Sequence, residues 1–248
     1  MSGTPKVSIT FLGTGTSTGV PVIGCNCPVC TSADKRDIRL RTAAAIKVND
    51  KILIIDTGPD FRQQMLTAKI QYIDAVLLTH SHRDHIAGLD DIRALNYVHN
   101  KVIDFYGNSQ TIEEVKSCFP YLGGQHFFGS PQVELKVFKN EAFEIHGIPI
   151  IPIKVMHNNM EVYGFRIYDL TYITDANKIE ESEIEKIRGS KLIVLNALRK
   201  SRHISHFSLQ EAVDIIENLK PEQAFLTHTS HFIGLHSEID KIIPSYIK

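Results

Sequence analysis

Long apolar runs are missing from this 248-residue sequence. No stretch reaches the roughly 18 residues that a membrane-spanning helix needs, so no membrane role is expected. Met1-Ser2-Gly3-Thr4-Pro5-Lys6 lacks the charged segment and apolar run of a secretory leader, which makes the cytoplasm the expected location. A surplus of charge is missing too. Lys and Arg number 27 against 28 Asp and Glu, so nothing in the balance demands nucleic acid or an anionic membrane. Low-complexity segments, long linkers and short tandem repeats are absent. Gly13-x-Gly15 and Gly19 lack both the GK[ST] ending of a phosphate loop and the spacing of a dinucleotide fingerprint, and are read as glycines allowing tight turns. Cysteine is scarce, at four residues, yet Cys25, Cys27 and Cys30 crowd together. In a reducing compartment that crowding points to metal rather than disulfides.

What is present is an ordinary globular composition, with short apolar runs alternating with amphipathic stretches. Strands are expected at Val7 to Leu12, Ala43 to Val48 and Lys51 to Ile55, the last two joined by the turn Asn49-Asp50. Further strands are expected at 75–78, 133–138, 148–155, 162–168, 171–174, 191–195 and 224–227. Helices are expected at 59–69, 85–97, 179–187 and 208–219. Ser208 and Glu211 have the spacing of a capping box. The mix suggests two sheets packed together with helices outside, as a single domain over residues 1–248.

The strongest signal is His80-x-His82-x-Asp84-His85, between an expected strand and an expected helix. Residues two apart in extended backbone face the same way, so His80 and His82 can converge on one ion. Asp84 and His85 can turn toward a second. Imidazole and carboxylate suit zinc, and also manganese or iron. Two ions need more ligands, and His157, Asp175 and His228 each follow an expected strand, where α/β architectures place chemistry. A single histidine is more often a surface or core residue; four ligand-type residues in six positions are not explained that way.

The cluster resembles the signature of the metallo-β-lactamase superfamily. Leu12-Gly13-Thr14-Gly15 and Ile55-Asp56-Thr57-Gly58-Pro59-Asp60 match in order and spacing. The resemblance implies an αββα four-layer sandwich. It implies that His80, His82 and His157 bind one metal, that Asp84, His85 and His228 bind the other, and that Asp175 bridges them. Asp84 then counts as both ligand and catalytic residue. An aspartate at the bridging position resembles the phosphodiesterase and RNase Z branches, where zinc β-lactamases typically have a cysteine.

Cys25-x-Cys27-x-x-Cys30 can hold a zinc if a fourth ligand is supplied. Unrelated buried cysteines or a redox pair are the alternatives. With Gly15-Thr16-Ser17-Thr18-Gly19-Val20-Pro21 before it, this cluster resembles the PhnP branch, which consists of phosphodiesterases. Leu226-Thr227-His228-Thr229-Ser230-His231 matches that branch as well. The match implies that His231 completes a structural zinc site, and that His206 donates a proton to the leaving group. His203 is the competing donor. Cys118 is left as an apolar core residue.

The resemblance therefore implies two catalytic divalent ions (zinc, manganese or iron), one structural zinc, and a hydroxide bridging the catalytic pair as nucleophile. A small phosphodiester is the expected substrate, and a homodimer is expected from the family. Arg39, Arg41, Arg199 and Arg202 are candidates for reading a phosphate, although a solvated charged surface explains them as well. The alternatives are an RNase Z-like nuclease, a thioester or lactone hydrolase, and a non-hydrolytic accessory protein resembling PqqB.

Overall fold

The computed structural model describes residues 5–122 and 129–248. The chain separates into two compact units, each built on one sheet.

The first unit takes residues 1–13 and 42–139. Its six strands are β1 (Val7–Gly13), β2 (Ala43–Val48), β3 (Lys51–Ile55), β4 (Ala75–Leu77), β5 (Ile103–Gly107) and β6 (Val133–Val137), in that order across the sheet. β1, β2 and β3 pair antiparallel, with the expected turn at Asn49-Asp50. β3 through β6 then run parallel. Their apolar residues, Ile54, Val76 and Phe105 among them, pack against Phe61 and Met65 of α1 (Phe61–Ala68), Ile86 of α2 (Arg83–Ile86), Ile92 of α3 (Ile92–His99) and Val115 of α4 (Ser109–Cys118). Half-buried Cys118 packs on the same core.

The helix expected over 85–97 is broken into α2, a 3-10 turn at Leu89–Asp91, and α3. The reason is a close approach. The Gly88 N–H bonds to Thr57 O (2.8 Å) instead of continuing the helix. A Cβ on Gly88 would lie 2.0 Å from Gly58 O, and one on Gly58 would lie 2.0 Å from Asp84 O. Glycine at both positions lets the turn after β3 lie against the His80 segment.

The second unit takes residues 14–41 and 140–248. It contains β7 (Phe143–Ile145), β8 (Ile148–His157), β9 (Met160–Ile167), β10 (Leu170–Ile173), β11 (Lys178–Ile179), β12 (Leu192–Asn196) and β13 (Gln223–Thr227). The order is β11-β8-β9-β10-β12-β13, with β7 on β8. β8 and β10 are both antiparallel to β9, so they run the same way; β12 and β13 are parallel to β10. Four strands therefore end at one edge of this sheet. His157 is the last residue of β8 rather than lying beyond it, because the β8–β9 pairing extends to His157↔Met160. Helix α5 (Glu181–Ile187) starts later than 179, since Lys178 and Ile179 pair with β8. Helix α6 (Leu209–Leu219) starts at Ser208 with the expected capping box to Glu211, a device worth about 1 kcal/mol.

β5, α4, β7 and β11 are not anticipated by the sequence pattern.

Candidate metal centres

Three clusters of side chains that could hold a metal ion stand out, and they differ in chemistry. The first lies wholly in the second unit. Cys25, Cys27, Cys30 and His231 bring their ligand atoms together. The three sulfurs lie 3.4, 3.4 and 3.3 Å from one atom, Nδ1 of His231. One ring nitrogen carries at most one proton, so three near-equal contacts are not three hydrogen bonds. Zn–S and Zn–N bonds of about 2.3 and 2.0 Å in a tetrahedron place S and N about 3.5 Å apart, close to what is seen. Backbone N–H groups support the sulfurs: Val22 donates to Cys30 (3.3 Å) and Cys30 to Cys27 (3.4 Å). The Cys30 N–H, with His231 also contributing, draws the Cys27 thiol down to about 6, whereas burial pushes Cys30 up to about 11. Crowded sulfurs resist ionising together, and a divalent cation is what would allow it. The donor set therefore fits a closed tetrahedral site.

Arg39 braces this region. It is buried, pairs with Asp37 (3.1 Å), and donates to Thr229 Oγ1 (3.0 Å) and to the Ser230 and Gly234 carbonyls (3.2 and 3.3 Å). That removes it from the phosphate-reading candidates. Arg199 is engaged with the Ser201 and Arg202 carbonyls, Arg202 with Glu211, and Arg41 with the Ser17 carbonyl. Gly15 is needed for close approach rather than a turn, since a Cβ there would lie 2.5 Å from Arg39 O.

The second cluster belongs to the first unit. β3 and β4 are parallel neighbours, Ile55 opposite Leu77, so Asp56 and the His80 segment emerge side by side. The rings of His80 and His82 have centroids 4.6 Å apart, and those of His80 and His85 4.2 Å. Asp56, fully buried and at φ 63°, accepts from the Thr79 N–H (2.9 Å), Thr79 Oγ1 (2.8 Å) and His85 Nδ1 (2.7 Å). Burial pushes its carboxyl up, opposed by His85 and Thr79. With its one proton given to Asp56, Thr79 Oγ1 must accept from His80 Nδ1, 2.9 Å away. Both histidines thus carry their proton on Nδ1 and present the Nε2 lone pair. His85 Nε2 lies 3.2 Å from Asp84 Oδ2. Two lone-pair atoms that close repel unless a cation lies between them, which is the fit expected of a metal half-site.

The third cluster is at the sheet edge of the second unit. Asp175 (φ 59°) and His228 (φ 53°) turn sharply in left-handed backbone just past β10 and β13, and His228 Nδ1 lies 3.0 Å from Asp175 Oδ1. His157 Nδ1 donates to the Ser205 carbonyl (2.7 Å), leaving Nε2 as the ligand atom. The loop after β12 delivers His206 between the other rings, 4.5 Å from His157 and stacked 4.9 Å from His228. Burial, with the neighbouring imidazoles, pushes His206 down to about 3 against the pull of Asp175. That lies well below the near-neutral value ordinarily sought in a proton donor. His203 is 5.3 Å from His206, and its Nδ1 accepts from the Ser205 N–H (3.3 Å).

Sequence reasoning missed the groups that orient these ligands. Asp56 and Thr79 hold the His80 segment. Asn196 forms two 2.9 Å bonds with the backbone of Ala176, fixing the chain beside Asp175. Asp56 had a readable sign, an acid directly ending the apolar run Ile52-Leu53-Ile54-Ile55; Asn196 likewise ends a strand.

Residues 51–229 match the family model of the Beta-lactamase superfamily domain. The chain belongs to the metallo-β-lactamase superfamily. A crystal structure described as a new diphosphatase from the PhnP family is 39% identical, with a TM-score of 0.91, over 98% of this chain and 94% of that one. The two mixed sheets with their helices are thus the superfamily fold, and the likeness to PhnP proteins spans the whole of it. An octanoyltransferase of Porphyromonas gingivalis is 36% identical over 96% of this chain, which spans 49% of that protein. Coenzyme PQQ synthesis protein B of Methylobacterium nodulans is 35% identical over 34% of this chain and 32% of its own length. The chain thus spans about half and about a third of these two relatives. Superfamily fold and donor clusters together support a metal-dependent hydrolase. Among the described residues no helix is long and apolar enough to cross a membrane.

Proposed function

We propose that this protein hydrolyses a P–O bond of a small phosphodiester, using two divalent ions. His80, His82 and His157 would hold one ion; Asp84, His85 and His228 would hold the other; Asp175 would be shared. This division is the one that the resemblance to the superfamily's ligand pattern implies. The observation that carries the reading is the chemistry of the donors. All are imidazole or carboxylate, and the second nitrogens of His80, His85 and His157 are held by Thr79, Asp56 and the Ser205 carbonyl. Such sets favour zinc, manganese or iron.

Divalent ions, when bound, lower the pKa of water and act as Lewis acids toward phosphoryl oxygens. The chain's own contribution is positioning and proton transfer. His206 stands between His157 and His228 on a loop fixed by Leu198 N–H to Phe207 O (2.9 Å) and Phe207 N–H to Ala176 O (2.8 Å). The negative charge of a phosphate favours its protonated form, so a substrate brings its own condition for protonating the leaving oxygen. The third ionic site, at Cys25, Cys27, Cys30 and His231, is structural in this account, because four protein donors leave no open position.

A diphosphate is the second reading, favoured by the PhnP-family diphosphatase at 39% identity. Attack at phosphorus is common to both. The octanoyltransferase activity is that of a chain about twice as long, so a thioester substrate is the weaker reading. The test compares metal-replete protein on bis-p-nitrophenyl phosphate, a dinucleotide joined by a diphosphate, and an acyl thioester. Turnover of the first supports the proposal. Turnover of the second alone transfers it to diphosphates. Turnover of the thioester alone, or tight RNA binding falling steeply with salt, contradicts it.

A further inference from the structure

Within His80-Ser81-His82, the residue between the two histidines is held from outside the segment. Ser81 is buried, and its hydroxyl donates a hydrogen bond to Glu114 Oε2 on α4. The other carboxylate oxygen accepts from Gln110 Nε2 one turn earlier (3.2 Å). Helix α4 is itself a firm base. Asn108 caps it by accepting from the Thr111 N–H (2.8 Å), and Ile112 and Val115 are buried beneath it. β5, which leads into it, pairs with β4, which leads into the histidines, and the Leu78 N–H donates to Tyr106 O (2.8 Å). Glu114 has no place in the ligand set, and α4 is already anchored by its cap and by its buried Ile112 and Val115.

We propose that Glu114 is a positioning residue for the metal site. Through Ser81 it fixes the backbone from which His80 and His82 project, by a charge-assisted hydrogen bond stronger than a neutral one. This rests on the metal-binding reading of His80 and His82 given above. Groups bonded directly to metal ligands typically change metal affinity by about 10–100-fold, and Glu114, acting one residue removed, is expected at the low end.

The test loads wild type, Glu114→Ala and Glu114→Gln with cobalt(II) and titrates each with a competing chelator. Thiolate-to-cobalt charge-transfer absorption reports the cysteine site; the weaker visible bands report the histidine and aspartate sites. Expected for Glu114→Ala is an affinity about tenfold lower at the latter, with the thiolate band unchanged. Glu114→Gln, whose amide oxygen still accepts, should stay within about threefold of wild type. Glu114→Ala indistinguishable from wild type would overturn the proposal alone. So would equal loss at both kinds of site with a lower Tm, since Glu114 would then serve the fold. A wild type binding cobalt only through thiolates would overturn the metal reading itself.

Discussion

The thiolate cluster and the histidine–aspartate clusters solve different problems with different parts. At the first, four donors surround one point, three sulfurs being equidistant within 0.1 Å from a single nitrogen (3.3–3.4 Å). Its support is backbone N–H groups on sulfur and the buried Arg39 brace. At the others, donors sit at or near strand ends, Asp175 and His228 on sharp turns, and the support goes to the far nitrogens of His80, His85 and His157. A closed site of soft donors stabilises structure; an orienting shell around nitrogen and oxygen donors prepares chemistry. Where the supporting hydrogen bonds go, to the ligand atom or behind it, separates the two roles.

The largest effect that would sharpen this contrast is expected from Cys27→Ser. Losing a thiolate from a closed site removes binding energy that belongs to folding, so Tm should fall by many degrees. Hydrolysis should survive in whatever fraction stays folded. An unchanged Tm with lost turnover would reverse the assignment of roles.

Next in size is His206→Ala, expected to lower kcat by about 100-fold or more with metal content unaltered. Loss of metal in that variant would make His206 a ligand, which its nearness to His157 and Asp175 permits. Smaller again is Asp56→Asn. An amide in place of the carboxylate weakens the hold on His85 Nδ1, and metal affinity should drop by about 10–100-fold at the histidine clusters only. Isothermal titration with zinc would show it.

The smallest effect concerns the brace. Burial pushes the Asp37 carboxyl up, but hydrogen bonds from Ser32 Oγ (2.7 Å) and the His236 N–H (2.8 Å), with Arg39, outweigh it and leave the pKa below the ordinary carboxylate range. A folded pKa below the unfolded one gives stability that is fully present above about 3.9 and lost as pH falls through the folded value. The Tm difference between wild type and Asp37→Asn should therefore be constant near neutrality and shrink below about pH 4. A difference that grows on acidification would contradict the brace.

Much of this was legible in the sequence because period and spacing carry it. Residues His80 and His82 alternate with Ser81 and converge, and Ser208 and Glu211 form their capping box. Strand ends were readable as the places where His157, Asp175 and His228 lie. What sequence pattern did not carry is long-range contact. The break at Gly88 depends on Gly58, thirty positions earlier, and the glycine within Ile86 to Leu95 is its sole local trace. β5 and α4 offer only a few apolar residues each, Ile103 and Phe105, then Ile112 and Val115, too few for a periodic signal to stand out. Arg39 looked like a surface cation because its neighbours Lys35, Arg36 and Arg41 are charged; its partners lie near 230.

The central claim is that one chain holds two kinds of metal site, one structural and one catalytic. Metal content per chain in wild type and Asp175→Ala, measured alongside hydrolysis of bis-p-nitrophenyl phosphate, tests it most directly. The account predicts about three metals in wild type, loss confined to the histidine–aspartate sites in the variant, and a fall in hydrolysis of more than about 100-fold. One tightly held zinc in both proteins, with no hydrolysis even after zinc or manganese is added, would contradict it.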